Sequence, residues 1–514
     1  MEDYLQKILR AHVYDVAVET PLEKAKILSK RLKNQVWLKR EDLQSVFSFK
    51  LRGAYNRMTH LTEEELQKGV VASSAGNHAQ GVALSAAYLK CKAVIVMPIT
   101  TPETKVSAVR NLDAEVILHG DTYDDAYHEA KRINQKDGLV FIHPFDDPEV
   151  IAGQGTIGRE ILSQIETPPD AIYIAVGGGG LIAGVAAYVK NLWPNVEIIG
   201  VEPYEASAMT DSLKEGKRIE LKDIGLFADG VAVSKVGVHT FELAKKYVDR
   251  MINVSTDEIC AAIKDVFEDT RSILEPAGAL SIAGLKSDVL NKKLTGKSLV
   301  AIACGANMNF ERLRFVAERA ELGEEREAMF AVEIPEKAGS LKNLCKILGK
   351  RSLTEFSYRM SEADNAQIFM GVEVKGKSDK NELIHQIRSF NFKCLDLSED
   401  ELSKVHLRHM VGGRLPKALN NLSKRDSSEL LYRFEFPERP GALMQFVDSM
   451  RPEWSISIFH YRNHGADIGR IVIGVIVDNH DMNNWKAFLK EIGYKSWDET
   501  KNPAYKLFLG AHNG

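Results

Sequence analysis

The sequence predicts an α/β protein with a long parallel-sheet part, followed by two smaller ferredoxin-like α+β modules. Three observations carry this. Short apolar or β-branched runs alternate with longer helix-like stretches from the N-terminus to about residue 320, as expected of strands buried on both faces beneath helices. About 190 residues at the C-terminal end contain an internal repeat. A chain of 514 residues also exceeds what one core usually holds and implies roughly two to four domains.

In chain order, the candidate strands of the first part are Val36 to Lys39, Val70 to Ser74, Lys92 to Met97, Glu115 to His119, Leu139 to His143, Ala171 to Val176, Glu197 to Val201 and Ser298 to Ala303. Ligands of such sheets bind beyond the carboxyl ends of the strands. Three candidate sites fall there: the turn Ser73 to Asn77, the run from Gly177, and Cys304. The span Ala171 to Val189 carries no charge and could pass for a membrane segment. Its four consecutive glycines read more naturally as a buried strand turning into a helix at Leu181.

Gly177, Gly178, Gly179 and Gly180 before Leu181 offer what a phosphate cradle needs, namely closely approaching backbone N–H groups and a helix N-terminus aimed at the anion. A tight turn that binds nothing is the plainer alternative. The spacing is not GxGxxG, and no acidic residue suited to a ribose follows at the right remove, which disfavours NAD. Lys50 stands beside Phe49 at the start of a helix-like stretch. An apolar neighbour and a helix N-terminus both favour the neutral amine that covalent chemistry with a carbonyl requires, although a lysine in such a place is more often a solvated surface residue.

Composition removes several function classes. The net charge of −4, the pI near 6.4 and the absence of a long like-charge run leave no electrostatic footprint for nucleic acid or an anionic membrane. Cys91, Cys260, Cys304, Cys345 and Cys394 lack CxxC spacing, which argues against a disulfide framework and a zinc site. His406 and His409 have no third ligand within sequence reach, so no metal is expected. Asp124-Asp125 and Asp146-Asp147 read as solvated-face and turn pairs. The opening Met-Glu-Asp shows no basic-then-apolar leader, so a cytoplasmic location is expected.

The segments Ser48 to Gly53, Ser74 to Gly81, Gly177 to Leu181, Glu275-Pro276-Ala277-Gly278 and Cys304-Gly305-Ala306-Asn307 resemble, in order and spacing, the threonine/serine dehydratases of the fold-type II pyridoxal-phosphate enzymes. With its tail, the whole chain resembles the biosynthetic, allosteric branch of that family. The resemblance implies a catalytic part of two parallel-sheet αβα subdomains over residues 1–320, pyridoxal 5'-phosphate as cofactor, and L-threonine ammonia-lyase activity yielding 2-oxobutanoate. It implies Lys50 as the covalent anchor and base, with Phe49 beside it. Asn77 would contact the ring hydroxyl, Gly177, Gly178, Gly179, Gly180 and Leu181 the phosphate, and Cys304 the ring nitrogen. Ser74, Ala75, Gly76 and Asn77 would hold the substrate carboxylate, which matters because the Cα–H and C–OH bonds must be aligned with the ring. A neutral thiol at Cys304 makes the ring a weaker electron sink, suited to elimination rather than transamination. Ala75 stands where a racemase of this family carries a serine base, so racemisation is not expected, whereas activity on L-serine is. Glu275 receives no step.

In the tail, Ala331-Val332-Glu333-Ile334-Pro335-Glu336-Lys337-Ala338-Gly339 recurs as Arg433-Phe434-Glu435-Phe436-Pro437-Glu438-Arg439-Pro440-Gly441. Ser357-Tyr358-Arg359 recurs as His460-Tyr461-Arg462. Each copy reads strand, helix, strand, strand, helix, strand, a ferredoxin-like order, and the openings resemble ACT-type amino-acid-binding domains. The expected organisation is a connector at 321–329, with Glu318 to Glu327 helical, and modules at 330–425 and 426–514. The resemblance implies inhibition by isoleucine, relief by valine and a homotetramer. The expected effector residues are Gly339, Leu341, Tyr358, Gly441 and Tyr461.

Overall fold

The computed structural model describes residues 3–335 and, beyond them, 343–344, 347–348, 351, 353–359, 365–407, 427–437, 449–451, 454–462 and 468–508. The chain divides into two compact units, Met1–Ala320 and Glu321–Gly514.

Ten strands build two sheets in the first unit. They are β1 (Leu22–Lys24), β2 (Gln35–Arg40), β3 (Val70–Ser73), β4 (Ala93–Met97), β5 (Glu115–Leu118), β6 (Val140–Phe141), β7 (Ala171–Ala175), β8 (Glu197–Pro203), β9 (Arg250–Val254) and β10 (Ser298–Ala303). The larger sheet has the order β1-β2-β10-β7-β8-β9, the smaller β5-β4-β3-β6. Every pairing is parallel except that of β1, which runs antiparallel along β2. All eight strands expected from the sequence are present. The two missed ones are edges: β1 is three residues long and largely exposed, and β9 is only partly buried over most of its length. An edge strand buried on one side or less lacks the continuous apolar signal of β4 or β7, which are buried at every position. The expected strand Leu139 to His143 pairs only over Val140–Phe141, and the following residues turn away to serve the site.

The larger sheet carries the main core. Ile172, Ile174, Ile199, Val300 and Ile302 are fully buried against helices Pro148–Gln164, Gly180–Leu192, Thr256–Thr270 and Pro276–Lys292. Among the described residues no helix is long and apolar enough to cross a membrane. The span Ala171 to Val189 is instead β7, a turn and the start of a buried helix.

The second unit contains β11 (Glu327–Pro335), β12 (Leu353–Arg359), β13 (Asn365–Glu373), β14 (Lys393–Asp396), β15 (Ser427–Pro437), β16 (Ser455–Arg462), β17 (Ile468–Asp478) and β18 (Lys495–Asp498). Its sheets have the orders β12-β13-β11-β14 and β16-β17-β15-β18. Counted within each module this is 2-3-1-4, entirely antiparallel, as a ferredoxin-like module requires. The repeat extends to irregularities, since the second strand of each module slips register at Leu353/Glu355 and at Ile456/Ile458. Met329, Phe369, Leu397, Leu431 and Val472 share one buried cluster, so the two modules pack together. The first helix expected in each module lies mostly outside the described residues. The helix Arg312–Gly323 ends before the expected helical stretch does, and Glu327, Ala328 and Met329, expected in the connector, are already part of β11.

Candidate active site

Lys50 is the first residue of helix Lys50–Thr59, directly after Phe49. Phe49 N–H donates to Cys304 O at 3.3 Å, and Ser48 bridges Gly305, which ties the lysine's approach segment to the end of β10. The Lys50 ammonium donates to Pro144 O at 3.0 Å and stands 5.5 Å from the centre of the Phe49 ring. Burial lowers its pKa to about 8, with Cys304 and Glu275 pulling weakly the other way. The amine therefore spends a useful fraction of its time neutral near physiological pH.

Gly177 to Leu181 follow β7, and helix Gly180–Leu192 begins within the run. Gly179 has φ +95°, which side chains disfavour. Among the described residues, no protein acceptor takes a hydrogen bond from the N–H groups of Gly177, Gly178, Gly179, Gly180 or Leu181. Five donors at the start of a 13-residue helix are thus left for an anion. The glycines are also required from behind. A side chain at Gly178 would overlap the Phe145 ring, and one at Gly177 would approach Val231 Cα to 2.8 Å. Gly178→Ala is expected to weaken phosphate-bearing cofactor affinity by about tenfold, because overpacking costs about 1–3 kcal/mol and the loop can yield only by moving its donors. Titration of apo-protein with pyridoxal phosphate checks this.

Ser74, Ala75, Gly76 and Asn77 form the half-buried turn after β3. Ser74 Oγ accepts from Gly76 N–H at 3.2 Å, and open space faces the Gly76 Cα where a Cβ would stand. Asn77 opens helix Asn77–Leu89. Its Oδ1 accepts from Asn307 Nδ2 at 2.6 Å, and its Nδ2 donates to Glu275 Oε1 at 2.5 Å. Burial, then the Asp229 charge, raises the Glu275 pKa to about 7. Cys304 is buried, and its thiol donates to Ala277 O at 3.4 Å. Burial, reinforced by Glu275, pushes the thiol well above its ordinary range, so it is neutral.

Several contributors were not singled out from the sequence. The segment after β6 supplies Pro144 O to Lys50, the Phe145 ring beneath the glycines, and Asp146, whose carboxylate accepts from Val238 and His239 N–H at 2.8 Å each. Asp146 thereby caps helix Val238–Tyr247, from which Thr240 Oγ1 reaches Gly178 O at 2.6 Å. Its reading as a turn residue holds, since its N–H donates to His143 Nδ1 at 2.8 Å, but its carboxylate also serves a helix about ninety residues away in the chain, beyond any local signal. Asp147 caps helix Pro148–Gln164, and Asp125 completes a capping box with Thr122. His78 donates from Nε2 to Ile142 O at 2.9 Å, and burial beside Lys50 lowers its pKa to about 3, so it is neutral. Lys105 and Arg312 hold Asp229 at 2.7 and 3.2 Å, fixing the turn whose Val231 backs Gly177.

The effector candidates are less fully placed. Tyr358 lies on β12 opposite Ile368, and Tyr461 on β16 opposite Ile471, both on the second strand of their modules. Gly339, Leu341 and Gly441 lie outside the described residues. No cluster of three or more His, Cys, Asp or Glu suited to a metal occurs among the described residues. His406 is buried, and His409 lies outside them.

A desolvated lysine, five convergent N–H donors at a helix N-terminus, a neutral thiol, and a Ser48 hydroxyl that is buried without a partner fit a phosphorylated aldehyde with a heteroaromatic ring. The fold and this site define a pyridoxal-phosphate-dependent enzyme of fold type II, and the family described as pyridoxal-phosphate dependent enzyme matches residues 13–305. The C-terminal regulatory domain of threonine dehydratase matches residues 318–407 and 422–509. The chain is 55% identical over 510 residues to the biosynthetic L-threonine dehydratase of Burkholderia multivorans, covering 99% of each, and 47% identical to that of Escherichia coli, covering 99% of this chain and 97% of the relative. The processed form of threonine deaminase isoform 2 from Solanum lycopersicum superposes with a TM-score of 0.61 at 55% identity, over 62% of this chain and 88% of that one. The chain belongs to the family of biosynthetic threonine dehydratases.

Proposed function

We propose that this chain is an L-threonine ammonia-lyase that releases 2-oxobutanoate and ammonia, the first step of isoleucine biosynthesis. It accepts L-serine secondarily, is inhibited by isoleucine, and is relieved by valine. The observation that carries the reading is the placement of Asn77, Gly177–Leu181 and Cys304 beyond the carboxyl ends of the parallel strands β3, β7 and β10, with Lys50 tied to Cys304 through Phe49, in a chain matched over 99% of its length by threonine dehydratases. When bound, pyridoxal phosphate supplies the carbonyl that engages the amino group and the conjugated ring that stores the electrons released at Cα.

Lys50 would anchor the cofactor and take the Cα proton of the substrate; its lowered pKa suits both tasks. Phe49 keeps water from the amine. The turn Ser74–Asn77 would hold the substrate carboxylate through the Ala75 and Asn77 N–H groups and the Ser74 hydroxyl, because Ser74 N–H is spent on Val96 O and Gly76 N–H on Ser74 Oγ, and so would orient the Cα–H bond. Gly177–Leu181 would hold the phosphate, Asn77 would donate to the ring oxygen, and the Cys304 thiol, kept neutral by burial, would serve the ring nitrogen without fixing a proton there. Ala75 has no proton to offer the opposite face, which keeps the outcome elimination. The β-hydroxyl leaves as water, and hydrolysis then returns one water and frees ammonia.

The catalytic part is assigned to residues 1–320; the connector, expected at 321–329, narrows to 321–326 because β11 begins at Glu327, and the regulatory modules are assigned to 327–425 and 426–514, within a homotetramer. Gly339, Leu341, Tyr358, Gly441 and Tyr461 are proposed to contact the effectors. The matching places of Tyr358 and Tyr461 on repeated strands support equivalent sites. Isoleucine must bind the less active state more tightly, with a coupling of about 1–3 kcal/mol.

The test is 2-oxoacid formation from L-threonine and L-serine, with and without isoleucine and valine. Threonine turnover suppressed by isoleucine and restored by valine is expected, whereas a coloured, inactive protein that still binds isoleucine would leave only a sensor. A second expectation concerns Lys50 alone. Because the neutral amine attacks, the rate of colour formation when apo-protein meets pyridoxal phosphate should rise roughly tenfold per pH unit and level off above pH about 8. A flat profile through neutral pH would contradict the Lys50 assignment.

A further inference from the structure

The Asn77 side-chain amide is held from two sides, and the orientation follows from donors and acceptors alone. Val46 O accepts from Asn307 Nδ2 at 2.9 Å, which fixes the inward end of the Asn307 amide as its nitrogen. That nitrogen's second hydrogen goes to Asn77 Oδ1 at 2.6 Å, so this atom of Asn77 must be the oxygen. Asn77 Nδ2 is therefore turned to Glu275, whose Oε1 accepts from it.

Glu275 is itself confined. It is the N-cap of helix Pro276–Lys292, its N–H donates to Gly305 O at 3.2 Å, and the residue is 5% exposed. A Cβ at Gly305 would collide with its carboxylate, and one at Gly230 would stand 3.8 Å from it. The charged or titratable groups acting on it are Asp229, Lys105 and Arg312, and it acts in turn on Lys50 and Cys304.

With Oδ1 and one Nδ2 hydrogen committed, Asn77 has a single N–H left. We propose that Glu275 and Asn307 are positioning residues that lock the Asn77 amide so that only this N–H meets the ring oxygen of the cofactor, holding that oxygen in its ionised form. The inference rests on the reading of Asn77 as the ring contact. A freely turning amide would present its oxygen part of the time, and that oxygen repels an ionised ring oxygen. Neither positioning residue needs to touch the cofactor.

The experiment is a double-mutant cycle on the full chain, read as Kd for pyridoxal phosphate and as the pH midpoint of the bound chromophore's absorbance. Glu275→Leu and Asn307→Ala are each expected to weaken binding about tenfold and to raise the midpoint by about one pH unit. Glu275→Gln, whose amide oxygen can still accept from Asn77, should stay within about twofold of the parent protein. In an Asn77→Ala background the same substitutions should add less than about twofold, because the group they act through is gone. Equal losses with and without Asn77 would mean that both residues merely support the fold, which overturns the inference and leaves Asn77's role intact. If Asn77→Ala changes neither readout, the ring-contact reading itself fails. Should Glu275→Leu not fold, Asn307→Ala carries the comparison alone, and an unchanged midpoint in that variant overturns the proposal.

Discussion

Replacing Lys50 by alanine is expected to lower kcat on L-threonine by at least about 10⁴-fold, the upper range for removing a general acid–base group, because the proposed covalent anchor is lost as well. No neighbour can take over. His78 spends its Nε2 hydrogen on Ile142 O, and its pKa of about 3 leaves a very weak base. His143 accepts from Phe145 and Asp146 N–H through Nδ1 and is lowered to about 4, chiefly by burial. Cys304 is a neutral thiol engaged with Ala277, and Glu275 is engaged with Asn77. Lys50→Arg should fail equally, since a guanidinium does not give up its proton at accessible pH. The measurement is single-turnover 2-oxoacid formation by protein preloaded with pyridoxal phosphate, and residual turnover within about a hundredfold of the parent would point to another base.

What the sequence made legible, and what it did not, follows from where the information lies. β4, β7 and β10 are continuous apolar runs because both faces are covered, and the turns after β3, β7 and β10 are short motifs whose glycines and asparagine stand beside one another in the chain. Contacts made by the fold had no such signal. Asn307 and Asn77 are 230 residues apart and Glu275 and Asn77 are 198 apart, so their joint hold on one amide exists only after the two sheets assemble. Asn307 was visible in its motif but had no visible partner. Phe145 reads as an ordinary hydrophobe, and its ring becomes a floor for the glycines only because the chain leaves β6 after two paired residues. In the tail, the repeated strand-proline-glycine openings made the modules legible, since a duplicated unit is self-evident without any partner. The pairing of their cores through Met329, Phe369, Leu431 and Val472 was not.

Arg52 illustrates the same limit, and it carries the largest stability effect expected in the molecule. Two residues beyond Lys50, it would pass for a surface cation, yet it is fully buried. Its guanidinium donates to Glu41 at 2.8 Å through Nε and Nη2, to Glu160 at 2.5 and 3.0 Å, to Thr156 Oγ1 at 3.1 Å and to Val18 O at 3.1 Å. Lys39, equally buried, donates to Glu160 at 2.6 Å, so two cations and two carboxylates balance in one dry network. Burial alone would raise the Glu41 pKa, but Arg52, Thr20 and Lys39 more than offset it and hold the carboxyl below its ordinary value. For a depressed carboxyl pKa, the stabilisation is present above the unfolded value and is lost as pH falls through the folded one.

Arg52→Ala should therefore destabilise the protein by about 3–5 kcal/mol, the cost of leaving a buried charge without its partner, and should move acid unfolding to higher pH. The decisive comparison is the double variant Arg52→Met with Glu41→Leu. It removes one charge of each sign, keeps Lys39 against Glu160 and restores apolar volume, so most of the lost stability should return. Urea unfolding midpoints of the three proteins measure this. If the double variant is no more stable than Arg52→Ala, the network's worth lies in the geometry by which it pins the Lys50 helix to strand β2 and helix Pro148–Gln164. Lys50 reactivity towards pyridoxal phosphate should then fall along with stability.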